Sequence, residues 1–142
     1  MPEKSIQGVK SRRLRSNGDE RGSLVALDGG QDLPFELKRV FYIYDAPYGA
    51  ERGRHSVSAS MLFICVCGSV SLTCDNGSER ATYHLSSPDV AVHTEPGIWV
   101  ELSEFAKGAV LLVLSSLSYA EARYFDLPMF NELAAVPRDG GE

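Results

Sequence analysis

A histidine close to an arginine is the first feature of this 142-residue sequence that could do chemistry. The segment from Arg52 to His55 follows an alternating apolar run and a turn, and it opens another extended segment. A neutral imidazole can accept and return a proton near pH 7. A neighbouring arginine is suited to binding a phosphate or an enolate oxygen. The spacing therefore predicts a proton-transfer site built on His55 and Arg52.

Short β-strands are the elements that would position these two residues. Apolar stretches of strand length alternate with turns rich in glycine, proline and asparagine, and Asp75-Asn76-Gly77 predicts a hairpin. The predicted strands are 24–27, 35–44, 61–67, 69–74, 81–85, 90–94, 98–102 and 109–115. Only residues 119–133 show a helical pattern, which Pro128 interrupts. The pattern is typical of an all-β sandwich or barrel with a short C-terminal helical segment.

Length and composition indicate one domain. Apolar residues make up 44% of the chain and charged residues 23%, which is ordinary for a globular protein. We expect a single domain at 1–136 and a disordered tail at 137–142. No apolar run is long enough for a transmembrane helix, and the N-terminus lacks the apolar core of a signal peptide. Three cysteines, an odd number, agree with a reducing compartment, so the expected location is the cytoplasm.

Charge is unevenly distributed along the chain. Residues 1–18 carry five basic side chains and one acidic side chain, whereas the whole chain has a net charge of −5. An acidic body argues against general nucleic-acid binding, which needs a broad basic surface. The basic stretch is either a nucleic-acid arm or, as we expect, a partly frayed end that leads into the first strand. We therefore expect neither nucleic acid nor a membrane as a partner.

Ordered motifs along the chain are similar to those of the dTDP-sugar 3,4-ketoisomerases, small cupins that act on dTDP-4-keto-6-deoxyglucose. The motifs are DERGSLVA (19–26), PFELKRVFYIYD (34–45), RGRH (52–55), ICVCGSV (64–70), DNG (75–77), PGIW (96–99) and GAVLLVL (108–114). The resemblance runs from about Asp19 to Phe130. It implies a cupin double-stranded β-helix, or jelly-roll barrel, that forms a homodimer and binds a dTDP-linked keto sugar inside the barrel.

The resemblance also implies a reaction. A base removes the proton on carbon 3 of the sugar, an enediolate forms, and a proton returns at carbon 4, without a metal or an organic cofactor. His55 matches the first histidine of the family's Arg-Gly-x-His-x-His motif, and Arg52 matches its arginine. The second histidine of that motif is Val57 here. The residue after Trp99, usually histidine or arginine in the family, is Val100.

The same comparison predicts that no metal is bound. Cupin metal sites use His-x-His, a carboxylate several residues later, and a third histidine in the second motif. Here His55 is followed by Val57, no carboxylate lies between Ser56 and Cys67, and the last position is Val100. Transition metals normally need three or four ligands, so one imidazole is not enough.

Several further residues are candidates for the site, and each has an alternative. His93 is a possible second acid or base, although packing in the core or at the rim is the expected role. Tyr42 and Tyr44 could donate hydroxyl groups to the sugar, but tyrosines are also common in half-buried strands. Trp99 could stack on the nucleotide base or act as a wedge in the core.

Arg39 lies on the apolar face of its predicted strand, where a cation needs a partner. That partner could be a ligand phosphate or a buried carboxylate such as Glu101. Glu101 is therefore a candidate for the substrate site or for a structural ion pair.

Two hypotheses of different class remain. The first is a ketoisomerase that works with one histidine, because a single base on one face of a planar enediolate can carry the proton from carbon 3 to carbon 4. The second is a catalytically degenerate cupin that binds a nucleotide sugar or a partner protein without turnover. The motif resemblance favours the first, and Val57 and Val100 favour the second.

Overall fold

Two five-stranded antiparallel sheets pack face to face in this protein, whose computed structural model describes residues 5–134. In chain order the strands are β1 (Val9–Arg13), β2 (Ser16–Asp19), β3 (Gly22–Val25), β4 (Arg39–Tyr44), β5 (Arg52–Val57), β6 (Met61–Cys67), β7 (Val70–Asp75), β8 (Arg80–Leu85), β9 (Val90–Thr94), β10 (Trp99–Ser103), β11 (Val110–Ser115) and β12 (Tyr124–Phe125), followed by helix α1 (Phe130–Ala134). Sheet I has the order β1-β9-β6-β11-β4, and sheet II has the order β12-β5-β10-β7-β8. β2 and β3 form a separate hairpin.

The core lies between the two sheets, and a second apolar cluster covers the outer face of sheet I. β6 illustrates both, because Phe63 and Cys65 belong to the core and Leu62 and Ile64 to the outer cluster. This double burial explains why the sequence of β6 is apolar on both faces. The all-β fold and the short C-terminal helix expected from the sequence are confirmed. So is the hairpin of β7 and β8 around Asp75-Asn76-Gly77.

The basic N-terminal stretch is more ordered than the sequence indicated. Residues 9–13 form β1, which pairs with β9 along its whole length, so the expectation of fraying is wrong for this part. Ion pairs anchor it: Arg13 contacts Asp89 at 2.9 Å and Arg15 contacts Asp32 at 2.7 Å. The Arg15 guanidinium holds the pKa of Asp32 at about 2. Arg13 and Arg15 are therefore used in the fold itself.

Two predicted elements are shorter in the structure. The strand expected at 35–44 begins only at Arg39, because Phe35 packs instead in the outer cluster of sheet I. The helical pattern at 119–133 gives a helix only from Phe130. Upstream of Pro128 the chain pairs with β5, where Ser58 donates its backbone N–H to the carbonyl of Arg123. The expected tail at 137–142 lies outside the described residues.

Gly97 ties this C-terminal segment to the barrel. Its N–H donates to the carbonyl of Val57, and its carbonyl accepts from the N–H of Met129 at 2.8 Å. The φ angle of Gly97 is +90°, and a Cβ there would lie 2.6 Å from backbone atoms of Met129 and Phe130. A side chain is excluded for both reasons. Gly97 therefore helps to hold the segment that follows β12 against the barrel.

Candidate active site

A cavity of about 110 Å³ opens between the two sheets, at the ends of β4, β5, β6 and β10. Its polar side chains are those of Arg52 and His55. Its apolar lining comes from Phe41, Ile43, Met61, Phe63, Val100 and Leu102. The structure thus brings together the two residues that the sequence singled out, in a largely apolar setting.

A β-bulge explains how Arg52 and His55 reach the same cavity. Residues three apart on a regular strand face opposite sides. Here Val100 pairs with His55 while Glu101 pairs with Gly53, so Arg54 is an extra residue in β5. Gly53 and Arg54 have φ angles of +79° and +60°, which form the bulge. Arg54 bonds Glu51 at 3.1 Å, and Arg52 turns to line the cavity beside His55.

His55 is half-buried in this cavity. Burial lowers the pKa of its imidazole, and the interaction with its own backbone and the charge of Asp126 only partly offset that effect. Its Nδ1 atom is buried and has no hydrogen-bond partner among residues 5–134. A buried polar atom without a partner costs about 1–3 kcal/mol, so the fold holds this imidazole here at a cost in stability.

Tyr124 is a site residue that sequence reasoning missed. It pairs directly with Val57 across β12 and β5, so it projects to the same face as Val57 and His55. Its ring meets the His55 ring edge-on, with centroids 5.1 Å apart and planes at 74°. The sequence signal here was weak, because Arg123 and Tyr124 match a family segment only loosely and the surrounding residues resemble a helix. Only the tertiary pairing with β5 makes them extended.

Arg39 reaches the same cluster from the opposite sheet. Its guanidinium lies 4.4 Å from the centre of the Phe41 ring, and its Nη1 donates to the Tyr124 hydroxyl at 3.5 Å. The prediction that Arg39 lies on the inner side of its strand is confirmed, since it alternates with exposed residues. Its contacts are aromatic rings and a phenol rather than Glu101.

Four other predicted site residues lie outside the cavity. Tyr42 and Tyr44 project from the outer face of β4, with 62% and 63% of their surfaces exposed. Trp99 and Glu101 alternate with Val100 and Leu102 on β10, and only the latter two line the cavity.

Trp99 belongs neither to the core cluster nor to the lining of the cavity. It is half-buried on the outer face of sheet II, where the Arg80 guanidinium lies 5.0 Å from the ring centre.

His93 is also separate from His55. It shares the outer face of sheet I with Ala91, where its Nε2 lies 2.7 Å from the Ser60 hydroxyl and its ring 5.9 Å from that of Phe35. Burial lowers the pKa of this imidazole. The structure therefore favours packing at the rim over the role of second acid or base for His55.

Residues 5–134 contain no group of three or more histidine, cysteine, aspartate and glutamate side chains arranged to hold a metal ion. Within the same range, no helix has the length and apolar character needed to cross a membrane.

Comparison with known proteins places this fold and site in a family. The model of the family described as FdtA: WxcM-like, C-terminal matches residues 7–134. A TDP-4-oxo-6-deoxy-alpha-D-glucose-3,4-oxoisomerase from Aneurinibacillus thermoaerophilus is 36% identical over 107 residues, which is 75% of this chain and 77% of the relative.

Solved structures give the same result. A mutant of the 3,4-ketoisomerase QdtA from Thermoanaerobacterium thermosaccharolyticum, in complex with TDP-4-keto-6-deoxyglucose, is 30% identical with a TM-score of 0.84, covering 91% of this chain and 96% of that one. The TDP-quinovose 3,4-ketoisomerase WlaRB from Campylobacter jejuni is 34% identical with a TM-score of 0.81, covering 90% and 98%. The expected cupin-like jelly roll is confirmed. Because the family model spans nearly all of the chain, this protein belongs to the FdtA, WxcM-like family.

Proposed function

We propose that this protein is a TDP-4-keto-6-deoxyglucose 3,4-ketoisomerase in which His55 is the base. The observation that carries the proposal is the half-buried imidazole, whose pKa burial lowers and whose Nδ1 atom has no partner among the described residues, in a cavity that Arg52 also lines. The oxoisomerase relative and the ketoisomerase structures support the reaction and the substrate class.

The chemistry needs little beyond a base and a dry, ordered site. The carbonyl at carbon 4 acidifies the proton at carbon 3, which neutral His55 removes to give an enediolate. The imidazolium then returns a proton to the same face at carbon 4. Apolar side chains such as Met61 and Phe63 exclude water from the cavity, which strengthens the electrostatic stabilisation of the enediolate.

Arg52 has a separate role at the open end of β5. Exposure decreases along this strand from Arg52 to Val57, so an elongated ligand would place its anionic part at Arg52 and its sugar beside His55. We assign Arg52 to the pyrophosphate, since arginine binds phosphate oxygens in bidentate fashion and the chain as a whole is acidic.

The pH dependence of the rate should report on the His55 imidazole. Only the neutral form accepts the proton, and burial moves its pKa below the ordinary value of 6.5. We expect kcat/KM to rise with pH through a midpoint below 6.5 and to be level at pH 7. A pH profile of initial rates measures this midpoint, and a midpoint above pH 7 would contradict the assignment.

Arg52→Gln should weaken binding of thymidine diphosphate by about tenfold or more, because a charge-assisted contact to the pyrophosphate is lost. Titration calorimetry measures the change. Arg54→Gln is the matched control, since Arg54 is turned to Glu51 and should leave the affinity within about twofold. If both variants change the affinity for thymidine diphosphate equally, the assignment of Arg52 to the pyrophosphate is wrong.

The alternative function is binding of a nucleotide sugar without turnover. It is favoured by the apolar lining at Met61 and Val100 and by the buried Val57 at the position of the family's second histidine. Solvent exchange at the sugar carbons separates the two functions, because a protein that only binds gives neither exchange nor product.

We also propose a homodimer located in the cytoplasm. β4 is an edge strand of sheet I, and its outer face exposes Val40, Tyr42 and Tyr44. Such an apolar edge is a template for pairing with another chain unless it is covered. Light scattering at micromolar concentration should give about twice the mass of the 15.5 kDa chain. A monomer at that concentration would refute the proposal.

A further inference from the structure

Moving a ketone from carbon 4 to carbon 3 requires two proton movements. The carbon-bound proton leaves carbon 3 and one returns at carbon 4. In addition, the hydroxyl proton on oxygen 3 must leave and oxygen 4 must gain one, or the enediolate cannot become the new ketone. His55 serves the carbon proton, so a second group is needed for the oxygen proton. That group has to donate one proton and accept another, as a hydroxyl does.

Tyr124 is positioned to be that group. It faces the same side of sheet II as Val57 and His55, and its ring stands against the His55 ring at 5.1 Å. A ligand bound beside the His55 ring would therefore lie near the Tyr124 ring. At the position of the family's second histidine the chain has the apolar Val57, and Tyr124 is its direct cross-strand neighbour.

Arg39 orients the phenol. An arginine is only a donor, so the Tyr124 oxygen accepts from its Nη1 and the phenol hydrogen has to point elsewhere. With Tyr124 41% exposed at the mouth of the barrel, that hydrogen is available to a ligand oxygen. The Arg39 guanidinium also lies over the Phe41 ring, 4.4 Å from its centre, and this cation–π contact favours the same position.

We infer that Tyr124 relays the oxygen proton of the isomerisation and that Arg39 is its positioning residue. In this step the Tyr124 O–H gives its proton to oxygen 4 of the enediolate, and the phenol oxygen takes the proton from oxygen 3. The double bond between carbons 3 and 4 then supplies the electron pair that accepts the proton from the His55 imidazolium at carbon 4, and the carbonyl forms at carbon 3. Tyr124 ends as it began.

The inference rests on the proposed ketoisomerase function, and its test is independent of that function. The test compares the parent with Tyr124→Phe on TDP-4-keto-6-deoxyglucose in deuterium oxide, following product formation and deuterium at carbon 3 of recovered substrate by NMR. We expect isomerisation to fall about 10²-fold, as for loss of a proton-transfer group. Exchange at carbon 3 depends mainly on His55, so the ratio of exchange to isomerisation should rise at least about tenfold.

Tyr48→Phe is the matched control, because Tyr48 lies in the loop between β4 and β5, is 67% exposed, and should leave both rates unchanged. Isomerisation of Tyr124→Phe within about twofold of the parent would overturn the relay and assign the oxygen proton to water. Equal losses of exchange and isomerisation would overturn it as well. A parent that shows neither exchange nor product would instead reject the ketoisomerase function itself.

A second variant tests the positioning role without altering Tyr124. Arg39→Gln should lower kcat and raise the same exchange-to-isomerisation ratio, while thymidine diphosphate binding stays within about twofold. Tenfold weaker binding with an unchanged ratio would place Arg39 at the phosphate and overturn its role beside Tyr124.

Discussion

Replacing His55 by asparagine should lower turnover of TDP-4-keto-6-deoxyglucose by about 10²–10⁴, and to below detection if the parent is slow. Asparagine keeps a polar group of similar reach but cannot serve as the base for the proton at carbon 3. Since Nδ1 of His55 has no partner among the described residues, the substitution removes no hydrogen bond of that atom to the fold. We therefore expect the thermal midpoint to stay within a few degrees of the parent. Product formation by NMR and circular dichroism on the same samples measure both.

His84→Asn is the matched control. His84 lies on the exposed face of β8, where its Nδ1 contacts the Ser71 hydroxyl at 2.9 Å, so its replacement should leave turnover unchanged. If activity survives in His55→Asn, the protein is still an enzyme but its base is a residue other than His55.

Gly97→Ala should have the largest effect on stability. The new Cβ would lie 2.6 Å from backbone atoms of Met129 and Phe130, and the residue would be held at a φ of +90°. Strain at positive φ costs about 1–2 kcal/mol and overpacking about 1–3 kcal/mol, so the free energy of unfolding should fall by about 2–5 kcal/mol. Because Gly97 joins Val57 of β5 to Met129, displacing residues 129–130 should also disturb β12, and turnover should fall as Tyr124 shifts relative to His55.

Gly30→Ala separates the two causes. Gly30 also has a positive φ, +81°, but a Cβ there would meet nothing within 4 Å. Urea unfolding should therefore show only the strain of about 1–2 kcal/mol, with unchanged turnover. If the two variants lose equal stability, the close approach of residues 129–130 to Gly97 is not what limits this position.

Strands with strong local signals were predictable from the sequence. The bounds of β6 and β9 agree with the predicted 61–67 and 90–94, because apolar runs and turn residues define them locally. β1 was missed since its polar residues give no strand signal, and its order comes from pairing with β9. β12 was missed for a similar reason, as Tyr124 and Phe125 are extended only through β5.

The site was predictable in its centre but not at its edges. His55 and Arg52 line the same cavity, as predicted. Residues three apart share a face here only because of the bulge at Arg54, which strand alternation alone does not predict. The motif predicts Trp99 and Glu101 as site residues, but both face outward. Strand alternation places Val100 and Leu102 on the inner face instead.

Strand alternation also explains why Tyr42 and Tyr44 lie outside the site. On β4 the residues that line the cavity are Phe41 and Ile43, so the two tyrosines face solvent.

Isomerisation of TDP-4-keto-6-deoxyglucose by the unmodified protein in deuterium oxide tests the central proposal most directly. We predict conversion to the 3-keto isomer, with solvent deuterium entering at carbon 4 of the product and carbon 3 of the recovered substrate. The rate should rise with pH as the fraction of neutral His55 increases, and turnover should be lost in His55→Asn. The contradicting result is binding of thymidine diphosphate with neither product nor deuterium at either carbon. In that case the protein binds the nucleotide but is not an isomerase.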